Sequence, residues 1–139
     1  PWADTYPVAR LQVPRLGIDQ IVLQGASGRV IAFGPGWVDG TASPGERGNT
    51  VISGHRDTHF RWLSELRVDE PILLQLPDGR SHRFRITSLD VVNDSDTWLL
   101  APDLDDRLRL VTCYPFDAVQ AGASQRYVVT ADRERLEAL

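Results

Sequence analysis

No lysine occurs in this chain, no methionine either, and cysteine appears once in 139 residues. Without lysine there is no Schiff-base chemistry and no Ser–Lys dyad, and the domain has no lysine amine to offer as acceptor in an acyl transfer. A single cysteine excludes an internal disulfide and every multi-cysteine metal site. No apolar run approaches the roughly 18 to 20 residues of a membrane helix. Basic runs are missing too, and with a net charge of −4 the chain is a poor partner for nucleic acid. It opens on Pro1 rather than an initiator, which suggests that a signal or membrane anchor preceded it.

What is present suffices for one domain, 1–139, with a sizeable core: 42% of the residues are hydrophobic. No repeat, low-complexity segment or internal boundary appears, and 1–7 and 131–139 read as flexible ends, the latter a charged tail. Residues 8–13 and 18–23 are two short strands split by Pro14 and Gly17, and 29–33 can form one helical turn. The Gly/Pro clusters at 34–37 and 43–49 read as turns. Residues 50–53 form a buried strand ending at Gly54-His55, and 56–66 a short helix or 3₁₀ segment. Strands 71–76 and 81–92 meet at Pro77-Asp78-Gly79-Arg80, a strong hairpin signal. In the second strand Phe84 and Ile86 have one parity and Leu89 and Val91 the other, predicting a bulge near Thr87-Ser88 or a strand covered on both faces. The acidic stretch 93–106 is mostly loop, with a helical turn at 97–100 capped by Ser95 or Asp96. Residues 108–113 and 125–130 are the last strands, around a small-residue loop at 116–124. Seven or eight short strands with few helices predict an all-β barrel or sandwich.

The lone Cys113 ends one of these strands. Leu108, Leu110 and Thr112 share one face; Arg109, Val111 and Cys113 share the other. Pro115 removes a ladder donor just beyond the thiol. A neutral thiol needs a base or a positive field to become a good nucleophile. His55 ends its own buried strand, mirroring Cys113, whereas His59 reads as a loop residue and His82 as solvent-facing. The spacing His55-Arg-Asp-Thr-His59 resembles a metalloprotease helix, but Arg56 stands where that motif has its Glu base and no third ligand is evident. Arg126, thirteen positions beyond Cys113, opens the next strand, where its guanidinium could serve an oxyanion or simply face solvent. Thr112 and Tyr114, flanking the cysteine, are candidate substrate contacts.

Gly34-Pro35-Gly36, then Pro44-Gly45-Glu46-x-Gly48-Asn49-x-Val51-Ile52-Ser53-Gly54-His55-Arg56-Asp57-Thr58-x-Phe60, then Leu110-Val111-Thr112-Cys113 and Arg126 together resemble a sortase, over about 11–130. The wording Thr112-Cys113-Tyr114-Pro115-Phe116 looks closest to the sortase group of Gram-negative bacteria. The resemblance implies an eight-stranded closed β-barrel with short helices or 3₁₀ turns in its loops, and His55, Cys113 and Arg126 as the catalytic set. It implies a cysteine transpeptidase that cleaves a substrate protein's LPxTG-like C-terminal sorting signal through a thioacyl-enzyme and passes the acyl part to an amine. It also implies a membrane-anchored protein of the cell envelope, on the extracytoplasmic face of the inner membrane. No cofactor is implied, although some sortases bind calcium. Here Asp94, Asp96, Asp103, Asp105 and Asp106 match no calcium loop and read as a solvated acidic stretch.

Two other readings compete. An L,D-transpeptidase keeps Gly before its cysteine and Arg two residues after it, and Thr112 and Pro115 break that pattern. A papain-like enzyme puts its cysteine on a helix before the histidine, the reverse of this order. The remaining alternative is a non-catalytic β-barrel binding module with a buried thiol, which is the ordinary state of a lone cysteine.

Overall fold

The computed structural model of the chain describes residues 5–116 and 124–135. Its strands are β1 (Pro7–Val13), β2 (Ile18–Gln24), β3 (Gly36–Trp37), β4 (Asn49–Ser53), β5 (Pro71–Gln75), β6 (Ser81–Asn93), β7 (Arg107–Tyr114) and β8 (Gln125–Arg133). They close into a barrel in the order β1-β2-β3-β4-β7-β8-β6-β5. Most neighbours are antiparallel; β2 with β3 and β4 with β7 run parallel. Closure leaves no sheet edge to be covered by a second layer.

Period-two alternation decides what enters the lumen. Leu11 and Val13 of β1, Ile52 of β4, Ile72 and Leu74 of β5, Ile86 of β6 and Leu108 and Leu110 of β7 point inward and are fully buried. Phe60, Trp62, Leu63 and Leu66, around the 3₁₀ helix Arg61–Glu65, complete this core. A second, smaller cluster lies on the outer face, where Leu99 covers Val51, Val111 and Val128. β4 and β7 are therefore buried on both faces, and their outer face mixes Val51 and Val111 with the buried polar side chains of Asn49 and Arg109.

Several expectations hold in detail. Gln75 pairs with Ser81 across the 77–80 turn, and Gly79 sits at φ +92°, a conformation open to glycine. The register of β6 against β8 shifts between Ile86 and Ser88, which is the bulge that the parity switch foretold. A helical turn forms at Gly28–Ile31, capped by the Ser27 hydroxyl. Four expectations fail. The 34–37 cluster contains β3, two residues that bridge β2 and β4; no pattern of period two can show in so short a strand. Residues 131–133 prolong β8, with Ala131 buried in the core. The 3₁₀ turn at Trp98–Leu100 has Thr97 as its cap without a side-chain bond, because Asp96 instead accepts from the Asn93 N–H at 3.1 Å. His82 is half-buried rather than solvent-facing, with Nε2 inside the structure. Most of the predicted 116–124 loop lies outside the described residues.

Candidate active site

β7 sits between β4 and β8, so one outer face is assembled from two consecutive strands and a third, β4, that is remote in sequence. Ser53 is level with Val111 across the parallel β4–β7 pair, and Val111 is level with Val128 across β7–β8. Two residues further along, Cys113 pairs directly with Arg126. Cross-strand partners leave the same face with their Cβ atoms about 4.5–5.5 Å apart. The Arg126 side chain thus leaves the sheet on the thiol's side, with its Nη1 donating to Gln125 O at 3.0 Å.

His55 completes the row from the far side. It lies two residues beyond Ser53, as Cys113 lies two beyond Val111, and the chain is held at this height by backbone. The Gly54 N–H donates to Val111 O at 3.1 Å, and the Thr112 hydroxyl donates to Gly54 O at 2.6 Å. His55 O in turn accepts from the Phe60 N–H at 2.9 Å, which folds the following turn back under it. Only glycine fits at 54: a Cβ there would stand 2.8 Å from the Phe60 ring. His55 itself is exposed, while Cys113 and Arg126 are half-buried. An accessible imidazole, a partly shielded thiol and a guanidinium in one row can support acyl transfer.

The flanking positions have other tasks. Thr112 is 2% exposed and faces the lumen, its hydroxyl engaged by Gly54 O. Its candidate role as a substrate contact is corrected to that of a peg tying β7 to the His55 turn. Tyr114 stacks on Tyr127 with ring centroids 6.0 Å apart, and Phe116 meets both rings edge-on. This half-buried aromatic cluster holds the chain where it leaves the strand through the cis Tyr114-Pro115 bond. Burial, followed by the neighbouring Tyr114, raises the Tyr127 pKa.

Below the row, along the same face, a cavity of about 250 Å³ runs between the barrel and the 93–106 loop. Val38, Val51, Leu99 and Val111 make one side of it apolar, Asn93, Asp94, Asp96 and Thr97 of the loop make the other polar and acidic, and Ser53 and Arg126 also line it. The loop wall depends on residues to which the sequence reading gave no role. Asn49 donates to Leu99 O and Ala101 O, and the Arg109 guanidinium lies 5.2 Å over the Trp98 ring. An arginine inside a buried-strand pattern was the available signal for Arg109.

His59 lies in a turn with Thr58 Oγ1 3.4 Å from its Nδ1, far in role from a ligand set. Among the described residues no three His, Cys, Asp or Glu side chains converge on a point. The acidic loop residues have other partners: Asp103 and Asp105 meet Arg107, and Asp106 accepts from the Gly48 N–H and meets Arg133 and Arg135.

The family model for the sortase domain matches residues 11–134. Sortase D of Bacillus subtilis (strain 168) is 31% identical over 124 residues, covering 88% of this chain and 62% of that protein. Among solved structures, sortase A from Corynebacterium diphtheriae superposes with a TM-score of 0.85 at 29% identity, over 97% of this chain and 64% of its own. A Clostridium perfringens sortase D5 transpeptidase gives 0.81 at 27% identity, over 93% and 79%. These relatives come from Gram-positive organisms, so the expected kinship with the Gram-negative group finds no support among them. The match runs through the barrel, from β1 to the end of β8, and the chain belongs to the sortase family.

Proposed function

We propose that this domain is a cysteine transpeptidase acting on an LPxTG-like C-terminal sorting signal. The observation that carries the reading is the Cys113–Arg126 cross-strand pair with the His55 turn bonded onto the neighbouring strand. With the thiol's proton on His55, the Cys113 sulfur attacks the carbonyl carbon before the signal's last glycine. Arg126 donates to the oxygen as it gains negative charge, the kind of stabilisation that acts most on the transition state. The C–N bond breaks, His55 gives its proton to the departing amine, and the acyl part remains as a thioester on Cys113. An incoming amine then attacks the thioester, His55 takes its proton, and the C–S bond breaks to free the thiol. The cavity beside Arg126, apolar on its barrel side and polar on its loop side, supports the substrate assignment as a place for the signal's extended segment. The absence of lysine makes an acceptor amine on this domain's own side chains impossible. No metal is needed for these steps.

The family membership supports a cell-envelope setting, and a membrane tether on the extracytoplasmic face belongs to the same proposal. Incubation with LPxTG-type peptides and mass spectrometry of the intact protein tests the chemistry. The expected product is an acyl adduct on Cys113 that a small amine removes. A protein whose thiol alkylates readily but which neither forms this adduct nor cleaves any sorting-signal peptide would refute it.

A further inference from the structure

We propose that Asn49 and Arg109 are positioning residues that fix the 93–106 loop as the outer wall of the peptide groove, and so set affinity for the sorting signal. The inference rests on the groove's holding that signal. Asn49 opens β4 and Arg109 lies mid-β7, both on the outer face shared with Val51 and Val111. The Asn49 Nδ2 donates to Leu99 O at 2.7 Å and to Ala101 O at 3.1 Å. Arg109 Nη1 reaches the same Leu99 O at 3.5 Å, and its guanidinium carbon sits 5.2 Å over the Trp98 ring. One turn of loop is therefore gripped through two carbonyls and one aromatic face, from two adjacent strands. That turn supplies Leu99 and Leu100 to the cavity.

The grip is a poor device for stability alone. Asn49 is 2% exposed and Arg109 7%, and each keeps one buried atom without a hydrogen-bond partner, Oδ1 and Nε respectively. Burial, with the nearby Arg107 adding to it, pulls the Arg109 pKa down. Buried polar groups satisfied only in part are usually less stabilising than apolar ones of the same shape. Leu99 alone, against Val51, Val111 and Val128, would bury the loop but leave it free to slide. Directional bonds to Leu99 O and Ala101 O remove that freedom. Trp98, 48% exposed, is held by its inner face while the other stays open.

The test uses Asn49→Ala and Arg109→Met, the second because it keeps the packing stem and removes a desolvated charge, so that it should fold even where the first does not. Both are checked by circular dichroism before kinetics. For folded variants KM for a sorting-signal peptide should rise about tenfold while kcat stays within roughly a factor of two. The rate at which iodoacetamide alkylates Cys113 should not change, and Arg109→Lys, which keeps a cation over Trp98, should recover part of the KM. A general loss of structure would instead lower kcat and alter alkylation together, and that outcome overturns the inference, as does an unchanged KM. Limited proteolysis at 97–101 separates the two readings. If the wild type cleaves no sorting signal, the proposed function falls; faster cutting in the variants supports the clamp, and unchanged cutting overturns it.

Discussion

Cys113 occupies the central strand of three, so its neighbours on both sides are chosen by register. Replacing it with Ala removes one sulfur from a half-buried strand end, and we expect cleavage of a sorting-signal peptide to vanish with the thermal midpoint almost unmoved. Turnover near wild type would refute its role. Arg126→Ala should lower kcat by two to three orders of magnitude, about 3 to 4 kcal/mol, the scale of losing one oxyanion donor. A higher KM at constant kcat would make Arg126 a binding residue only. Gly54→Ala drives a methyl into the Phe60 ring, an overpacking worth roughly 1–3 kcal/mol, and should also displace His55. Denaturant melts and kcat would both register it, and a silent variant would show that the turn can yield. The positions of His55, Cys113 and Arg126 near strand ends were legible because each stands beside a β-branched run with a turn signal close by. Thr112 was misread because its neighbour's chemistry drew attention to it, whereas strand parity had already turned its hydroxyl inward.

At the scale of elements, legibility followed length. β6 could be read to its bulge, since 13 residues contain enough alternation to reveal a change of parity. β3 could not, since its two residues belong to a sheet only through their partners. The extension of β8 to Arg133 was hidden by charge: Asp132 and Arg133 look like a tail, but Asp132 meets Arg107 and Arg133 lies near Asp106, so both charges have partners on the barrel wall. The β5–β6 hairpin offers a clean prediction. Gly79 has φ +92° and open space around its Cα, so Gly79→Ala brings backbone strain without a clash. We expect a loss of about 1 kcal/mol in denaturant melts and no change in peptide cleavage. An altered kcat would mean that this end of the barrel communicates with the site.

For the molecule as a whole, two ion-linked sites give stability a pH dependence. Hydrogen bonds from Arg15 hold the Glu70 carboxyl below its ordinary pKa, and its side chain is almost fully enclosed. The folded state thus binds the proton less readily than the unfolded one, and the Arg15–Glu70 contribution is present above the ordinary carboxylate range and lost as pH falls through the lowered value. Burial first, then Arg133 and Arg80, depress the His82 pKa. Its sign is the same: the folded protein keeps the imidazole neutral, so stability declines as pH drops below the ordinary histidine value of about 6.5. Melting at stepped pH should show a first decline below that point which His82→Phe removes, and a second in the carboxylate range which Glu70→Gln removes. A His82→Phe variant that keeps the first decline would assign it to another group. Sequence by itself determined the strand count to within one, the parity of Leu108, Leu110 and Thr112 on one face, the Gly79 turn and the β6 bulge, because each depends on neighbours within a few positions. Tertiary structure alone decided that β4, β7 and β8 lie side by side, that their outer face carries a groove, and that Asn49 and Arg109 hold its far wall. Some of those relations join distant residues, such as Asn49 and Leu99, 50 positions apart. Closing a barrel fixes them through strand order and register, which no local pattern encodes.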